Sequence, residues 1–371
     1  MKIQFLPLFY LVFCVIDYSM TQITNTATID TSGGVKIENI TIGGYADVYY
    51  GYNFNQSPDH VIPYMSCSNR QNEFNVNLVY VDLRYSHELL RARIVPAFGT
   101  LINANYASEQ GTIKSILEAS AGIKIAKTKN YWLELGIFGS PFTSESFISK
   151  DHYMYTRSLA AENVPYYLAG IKSSFKINPK LTINGFIVNG WQQIQDQNNG
   201  KSIVTQVEYQ ASNKQLLNWN TYVGDERSSE HPDYRMRIFS DFYWFYNPIP
   251  SLQFITSIYG GLQHKKTVMN TSRDYWCQFN ITSKYNLSPK SSISARLEYF
   301  SDPKSTILFH NDGIKPTALY GSGLCFNYSL NKHAVVRLDT RYLSSPGIMD
   351  IRLGNFVTNS FQLMSNMTIW F

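Results

Sequence analysis

From about residue 40 to the carboxy-terminus, apolar and polar residues alternate with a period of two, the repeat of a strand with one apolar face. Ile293, Ala295, Leu297 and Tyr299 share a side opposite Ser294, Arg296 and Glu298. Val336, Leu338 and Tyr342 oppose Arg337, Asp339 and Arg341 in the same way. Similar alternation runs through 117–125, 131–138 and 276–285, where helical spacing fits poorly. The pattern predicts about sixteen strands. In the first half they are 42–54, 71–85, 90–101, 113–126, 130–140, 165–178, 181–194 and 202–211. In the second half they are 214–224, 233–247, 251–264, 273–287, 291–301, 316–329, 332–344 and 357–371.

The connections between these strands alternate in length. Short turns built on Asn, Pro and Ser fall at 86–88, 127–129, 178–180, 212–213, 247–250, 288–290 and 330–331. Longer, mostly polar connections fall between them, at 55–70, 102–112, 141–164, 195–201, 225–232, 265–272, 302–315 and 345–356. A meander that crosses a membrane has this rhythm, with tight turns on one side and long loops on the other. A Greek-key sandwich does not require it. The last segment carries Phe361, Leu363, Met367, Ile369 and Phe371 on one face and ends on Trp370-Phe371. Such an ending suits the closing strand of a barrel better than a terminus fraying in water. Aromatics gather near predicted strand ends, at Tyr49, Tyr50 and Tyr52, at Tyr166 and Tyr167, and at Tyr243 to Tyr246. These clusters are expected to form interfacial girdles. The predicted fold is therefore all-β, a single transmembrane antiparallel barrel with short periplasmic turns and longer extracellular loops.

Composition agrees with this class. The chain has 371 residues, 44% hydrophobic, 15% aromatic and 16% charged, which excludes disorder over most of its length. A mean hydropathy of −0.22 fits a barrel whose polar lumen offsets its lipid face. The one continuous apolar stretch, Ile3 to Ile16 after Lys2, is too short to span a membrane as a helix. It reads as a signal peptide over 1–21, with Ser19 and Thr21 as the small residues of the cleavage region. Phe13 before Cys14 argues against a lipidation box. Residues 22–40 are expected to be a flexible lead-in, and 41–371 the barrel. Without Cys14, three widely spaced cysteines remain, Cys67, Cys277 and Cys325, which is no disulfide framework and no metal motif. Removing Lys2 and Asp17 leaves the formal charge at +5, too mild a bias to imply nucleic acid.

Several segments also resemble one family. They are GYADVYYGYNFN (44–55), NEFNVNLVYVDLRY (72–85), ANYASE (104–109) and YTRSLAAENVPYYLAGIK (155–172). NGWQQI (189–194), YVGDE (222–226) and ARLEYFSDP (295–303) follow in order. Together they span the mature chain and are similar to the OmpL-like beta-barrel porin family of Gram-negative outer membranes. The resemblance implies an outer-membrane barrel with channel function and no established substrate or catalytic residue. It also implies that Phe371 is the terminal signal read by the outer-membrane assembly machinery.

If the apolar faces meet lipid, the opposite faces line a lumen. Charge costs about 2–4 kcal/mol near the lipid midplane, so the phase of the charged residues marks the inward side. That side is expected to carry Asp47, Arg93, Glu118, Lys124, Glu134, Arg235, Arg237, Asp241, Arg296, Glu298, Arg337, Asp339 and Arg341, with Arg91, Lys172 and Glu208 among their neighbours. They either filter solutes by a transverse field or brace the wall as ion pairs of small individual worth. Both signs are present, and selectivity stays open. The longest connection, 141–164, holds Glu145, Lys150, Asp151, Arg157 and Glu162, and is expected to fold inward and narrow the channel, by analogy with general porins. The alternative is a loop over the mouth. The seven histidines lie singly, and no HExxH, GxSxG or P-loop occurs, so no enzyme, cofactor or metal is expected. The sequence reads as a passive porin for small hydrophilic solutes, embedded in outer-membrane lipid. The alternative is a surface binding or adhesion barrel acting through its outer loops. A homo-oligomer is expected only by analogy with general porins.

Overall fold

The computed structural model describes residues 35–308, 314–352 and 354–371. The expected signal peptide, most of the 22–40 lead-in and His310 lie outside the described residues. Sixteen long strands follow in chain order. They are β1 (Ile40–Asn53), β2 (Phe74–Ser86), β3 (Leu90–Phe98), β4 (Ile116–Lys124), β5 (Tyr131–Gly139), β6 (Tyr167–Asn178), β7 (Leu181–Val188) and β8 (Ser202–Ser212). The rest are β9 (Gln215–Asp225), β10 (Tyr234–Ile249), β11 (Leu252–Lys266), β12 (Thr271–Asn286), β13 (Ser291–Ser301), β14 (Ala318–Asn331), β15 (Ala334–Ser344) and β16 (Asn359–Trp370). Each pairs antiparallel with the next, and β16 pairs with β1 from Gln362 opposite Asn53 to Trp370 opposite Tyr45. The sheet is closed. A short strand at Val35–Ile37 pairs with the start of β1, and a hairpin of Asp350–Arg352 with Asn355–Val357 decorates one loop. Two short helices, α1 (Thr100–Asn105) and α2 (Leu159–Glu162), sit in long connections. No helix among the described residues is long and apolar enough to cross a membrane.

Burial is inverted relative to a water-soluble sheet. Leu297 on β13 is 63% exposed and Leu338 on β15 is 50% exposed, while Arg296, Arg341 and Asp339 between them are buried. Apolar side chains face out and charged ones face in, the arrangement that hydrocarbon outside and polar groups inside would select. The seven short turns all lie at one end, and the long connections lie at the other.

Most boundaries shift by one to three residues, and three of the differences have a visible cause. Strand β3 stops at Phe98, because Thr100–Asn105 winds into α1 and packs Leu101 and Ile102 inward. Strand β7 ends at Val188 rather than 194, and the freed segment places Trp191 against the apolar packing inside the barrel. The expected long connection at 265–272 shrinks to residues 267–270, since β11 and β12 stay paired out to Lys266 opposite Thr271.

The seam rests on the last residue. Gly44 N–H donates to Phe371 O at 3.1 Å, and Phe371 N–H donates to Gly44 O at 3.0 Å. A Cβ at Gly44 would lie 2.4 Å from the Phe371 ring, so only glycine lets the ring settle over β1. Gly185 on β7 has open space around its Cβ position. Gly44→Val is expected to lower the folded fraction after refolding in detergent, with an overpacking cost of about 1–3 kcal/mol, while Gly185→Val leaves it unchanged. Heat-modifiable gel migration reads both.

Candidate functional site

The inner wall is built in rows across neighbouring strands, because inward residues recur every second position and pair with fixed partners. One row runs Arg91, Gly122, Glu134, Lys172 through β3 to β6. Gly122 has no Cβ, and a Cβ there would lie 2.6 Å from Glu134 Cγ and 3.3 Å from Arg91 Cγ. The gap lets Arg91 Nη2 reach Glu134 Oε2 at 2.5 Å across the intervening strand. The same guanidinium lies 4.3 Å from the Trp132 ring centroid. A row further in, Arg93 binds Asp82 at 2.8 Å and Glu118 at 2.5 Å, and Arg84 shares Asp82 at 2.9 Å. Arg84, Arg91, Arg93, Glu118, Trp132 and Glu134 line an open cavity of about 500 Å³ in the short-turn half of the lumen, against β2 to β8. Lys172, Lys176 and Glu208 complete its charged lining. Lys124 stands at its short-turn edge, opposite Trp132.

Elsewhere in the lumen, long connections pack against the wall. The connection between β5 and β6, residues 140–166, crosses the interior and fastens to the wall on several sides. Thr143 N–H donates to Asp241 on β10 at 2.8 Å. Tyr155 and Thr156 N–H donate to Asp339 on β15 at 2.8 and 3.1 Å. Leu159 N–H donates to Glu298 on β13 at 2.6 Å. Ser149 meets Tyr45 of β1 at 2.8 Å and Thr368 of β16 at 3.2 Å, and its carbonyl accepts from Arg337 at 2.9 Å. Glu145 takes the Ser158 hydroxyl and N–H and lies 3.4 Å from Arg296. Arg296 in turn donates to the Thr156 and Arg157 carbonyls at 2.7 and 3.0 Å. Glu162 accepts the N–H and hydroxyl of Ser66, which ties this segment to a second inward connection, 54–73. Buried His152 accepts the Ser146 N–H on Nε2 at 3.0 Å. Burial first, and then Arg157, holds its imidazole well below the ordinary protonation range.

The expected pore-lining set therefore divides. Arg93, Glu118 and Glu134 face the open cavity. Asp241, Arg296, Glu298, Arg337 and Asp339 are buried under the inward segment, and Arg341 is buried with them, bound to Glu298 at 2.9 Å. Asp47 is also buried, held by Asn77 at 2.8 Å and Asn366 at 3.0 Å. Arg237 is wedged between Trp191 and Trp276, 4.9 and 5.7 Å from their ring centroids, with Gln263 at 2.9 Å and Glu226 at 3.7 Å. Arg235 leaves the row. A bulge puts Tyr234 opposite Lys265 and Arg237 opposite Gln263, so Arg235 folds back onto the carbonyls of Pro232 and Tyr234.

The loop charges do not line a free passage either. Arg157 is fully buried and donates to the carbonyls of Ser146, Phe147 and Tyr155. Lys150 pairs with exposed Asp151 at 3.0 Å and stands 5.5 Å from the Trp370 ring centroid. The expected girdle is half right. Trp244 and Tyr246 stack at 5.1 Å on the outward face, whereas Tyr49, Tyr166, Tyr167, Tyr243 and Phe245 turn inward. Apolar packing of Phe142, Leu159, Val164 and Tyr64 against Tyr222, Phe239, Tyr259 and Phe300 draws wall aromatics into the filled half. Three residues of the site, Asp82, Thr156 and Ser149, escaped the sequence reading. Asp82 shares the inward parity of Tyr80 and Arg84 and was legible there. Thr156 and Ser149 act through hydroxyls and backbone with no charge to mark them.

Glu298 ties the wall to the segment, accepting from Arg341 and from Leu159 while lying 3.6 Å from Arg296. Removing its charge leaves two buried guanidiniums short of a partner, at a cost of about 3–5 kcal/mol. Glu298→Gln is expected to move the urea unfolding midpoint down accordingly, while Glu88→Gln on an exposed turn stays within about 0.5 kcal/mol of wild type.

A family model described as "Putative beta-barrel porin-2, OmpL-like" matches residues 39–371. Among curated proteins, none matches the chain. Among solved structures, OmpT, an outer membrane protein of Vibrio cholerae, is similar at 10% identity and a TM-score of 0.58, covering 92% of this chain and 100% of its own. The anion-selective porin from Comamonas acidovorans is similar at 7% identity and a TM-score of 0.57, covering 90% of this chain and 99% of its own. A trimer form of the Vibrio cholerae OmpT matches at 10% identity and a TM-score of 0.55, covering 90% and 99%. At these identities the likeness is one of fold.

Proposed function

Since the chain belongs to the OmpL-like beta-barrel porin family and is a passive diffusion channel of the Gram-negative outer membrane, we propose that the inward segment 140–166, rather than the strand wall, sets what passes. The observation that carries this is the attachment of that one segment to β1, β10, β13, β15 and β16 at once. A loop tied on so many sides cannot swing clear as a surface flap, and any solute must pass beside it. The narrowing leaves the open volume against β2 to β8, where charged side chains already face water. The adhesion reading loses ground for the same reason. It needs outer loops presented to the medium, yet 54–73 and 140–166 spend most of their polar groups on the barrel interior.

Deleting residues 144–160 tests the reading. The wall charges now bound to the segment would be solvated by the water that replaces it, so the barrel is expected to fold. Single-channel conductance in planar bilayers is expected to rise several-fold. A correctly folded variant with unchanged conductance would sink the proposal.

A further inference from the structure

We infer that the short-turn half of the lumen is a collecting and binding vestibule for small oxyanions, with Lys172 at its centre. The inference rests on the channel reading and adds the class of solute. It starts from local charge balance. Arg84 and Arg93 are matched by Asp82 and Glu118. Lys176 and Glu208 lie in one row, each opposite Thr182 of β7, and offset one another at longer range. The row of Arg91, Gly122, Glu134 and Lys172 is different, because two cations share one carboxylate. Glu134 stands opposite Lys172 in the ladder, yet its carboxylate is taken by Arg91. Among the described residues no carboxylate comes within ion-pair distance of Lys172, and its Nζ stands 5.7 and 5.9 Å from the ring centroids of Phe186 and Phe138. Arg91 Nε is likewise buried without a hydrogen-bond partner. An ammonium over aromatic faces beside a half-satisfied guanidinium is short of an acceptor, and an oxyanion supplies several.

The mouth of the cavity reinforces this. The short turns carry exposed Lys127, Lys129, Lys180, Lys214, Lys290 and Lys332, against Glu88 and, on the turn before β1, Glu38. The long connections at the other end mix both signs, with Asp225 beside Arg227 and Asp196 beside Lys201. A ring of six lysines against two carboxylates, around a cavity with low-dielectric walls, concentrates anions at its mouth. The ring draws anions in, and the uncompensated row holds them.

The full chain, refolded and inserted into planar bilayers under a potassium chloride gradient, tests the proposal. Chloride is expected to permeate at least about threefold better than potassium near 0.1 M salt, and the preference should shrink near 1 M as the screening length falls to about 3 Å. Inorganic phosphate is expected to block chloride current from the short-turn side. Lys172→Gln should lower the preference and weaken the block, and the combined Lys127→Gln, Lys129→Gln, Lys180→Gln variant should lower the preference alone. Lys304→Gln at the far end should change neither. A conducting wild-type barrel with zero or cation-type reversal potential overturns the vestibule while leaving the passive channel intact. A silent barrel counts against the channel, and the vestibule is then decided in detergent. The Trp132 part of the fluorescence, taken as the difference from Trp132→Phe, should be quenched more by iodide than by caesium, and less selectively after Lys172→Gln. Equal quenching by the two ions overturns the proposal.

Discussion

In hydrocarbon a strand edge has no water to satisfy its N–H and C=O groups, and the pairing of β16 with β1 removes that edge. Every other feature of the molecule depends on this closure. It forces a definite inside and outside on a sheet whose residues already alternate, so each strand must enter with its apolar side out. The terminal Phe371 matters because it completes the last pair of that seam, over a glycine whose missing side chain leaves room for the ring.

Closure creates a second demand. A sixteen-stranded wall encloses more space than its inward side chains can fill. Here two long connections, 54–73 and 140–166, enter from one end and occupy much of it. Their backbone N–H groups then need acceptors, and the wall supplies them as Asp241, Glu298 and Asp339. Arginines on the wall serve the opposite need, donating to carbonyls that the irregular segment leaves unpaired. Buried charges are expensive unless each meets several partners, and this interlock provides them. Charges that would filter solutes in a wide aqueous pore act here as fasteners. On the function proposed above, the filtering falls to the side of the lumen that the segment leaves open.

That division gives the lumen two characters. Against β10 to β16 and β1 it is a packed interior with aromatic and ionic contacts of the kind found in a soluble core. Against the short-turn half of β2 to β8 it is a wetted wall whose charges pair across neighbouring strands, while the long-loop half of the same strands packs Leu78, Val95, Leu117 and Phe186 inward. Gly122 is a small example of how the wall is tuned, since its bare backbone lets Arg91 and Glu134 meet and leaves Lys172 without an ion-paired carboxylate among the described residues.

The number of strands, their order, the lipid-facing phase and the closing role of the final segment were legible in the sequence, because each depends on a two-residue period and on turn chemistry that neighbours in the chain dictate. The inward parity of Arg296, Glu298, Asp339 and Arg341 was legible for the same reason. What those residues do was not. Glu298 meets Leu159 across 139 positions, and Asn55 meets Asp350 across 295, and no local pattern encodes such meetings. The bulge that ejects Arg235 and the inward turn of Tyr49, Tyr166 and Tyr167 also depend on what packs opposite them. Periodicity determined which face each residue occupies. Only the tertiary structure decided whether that face meets water, lipid or another stretch of the same chain, because that depends on segments brought together by closure rather than by sequence.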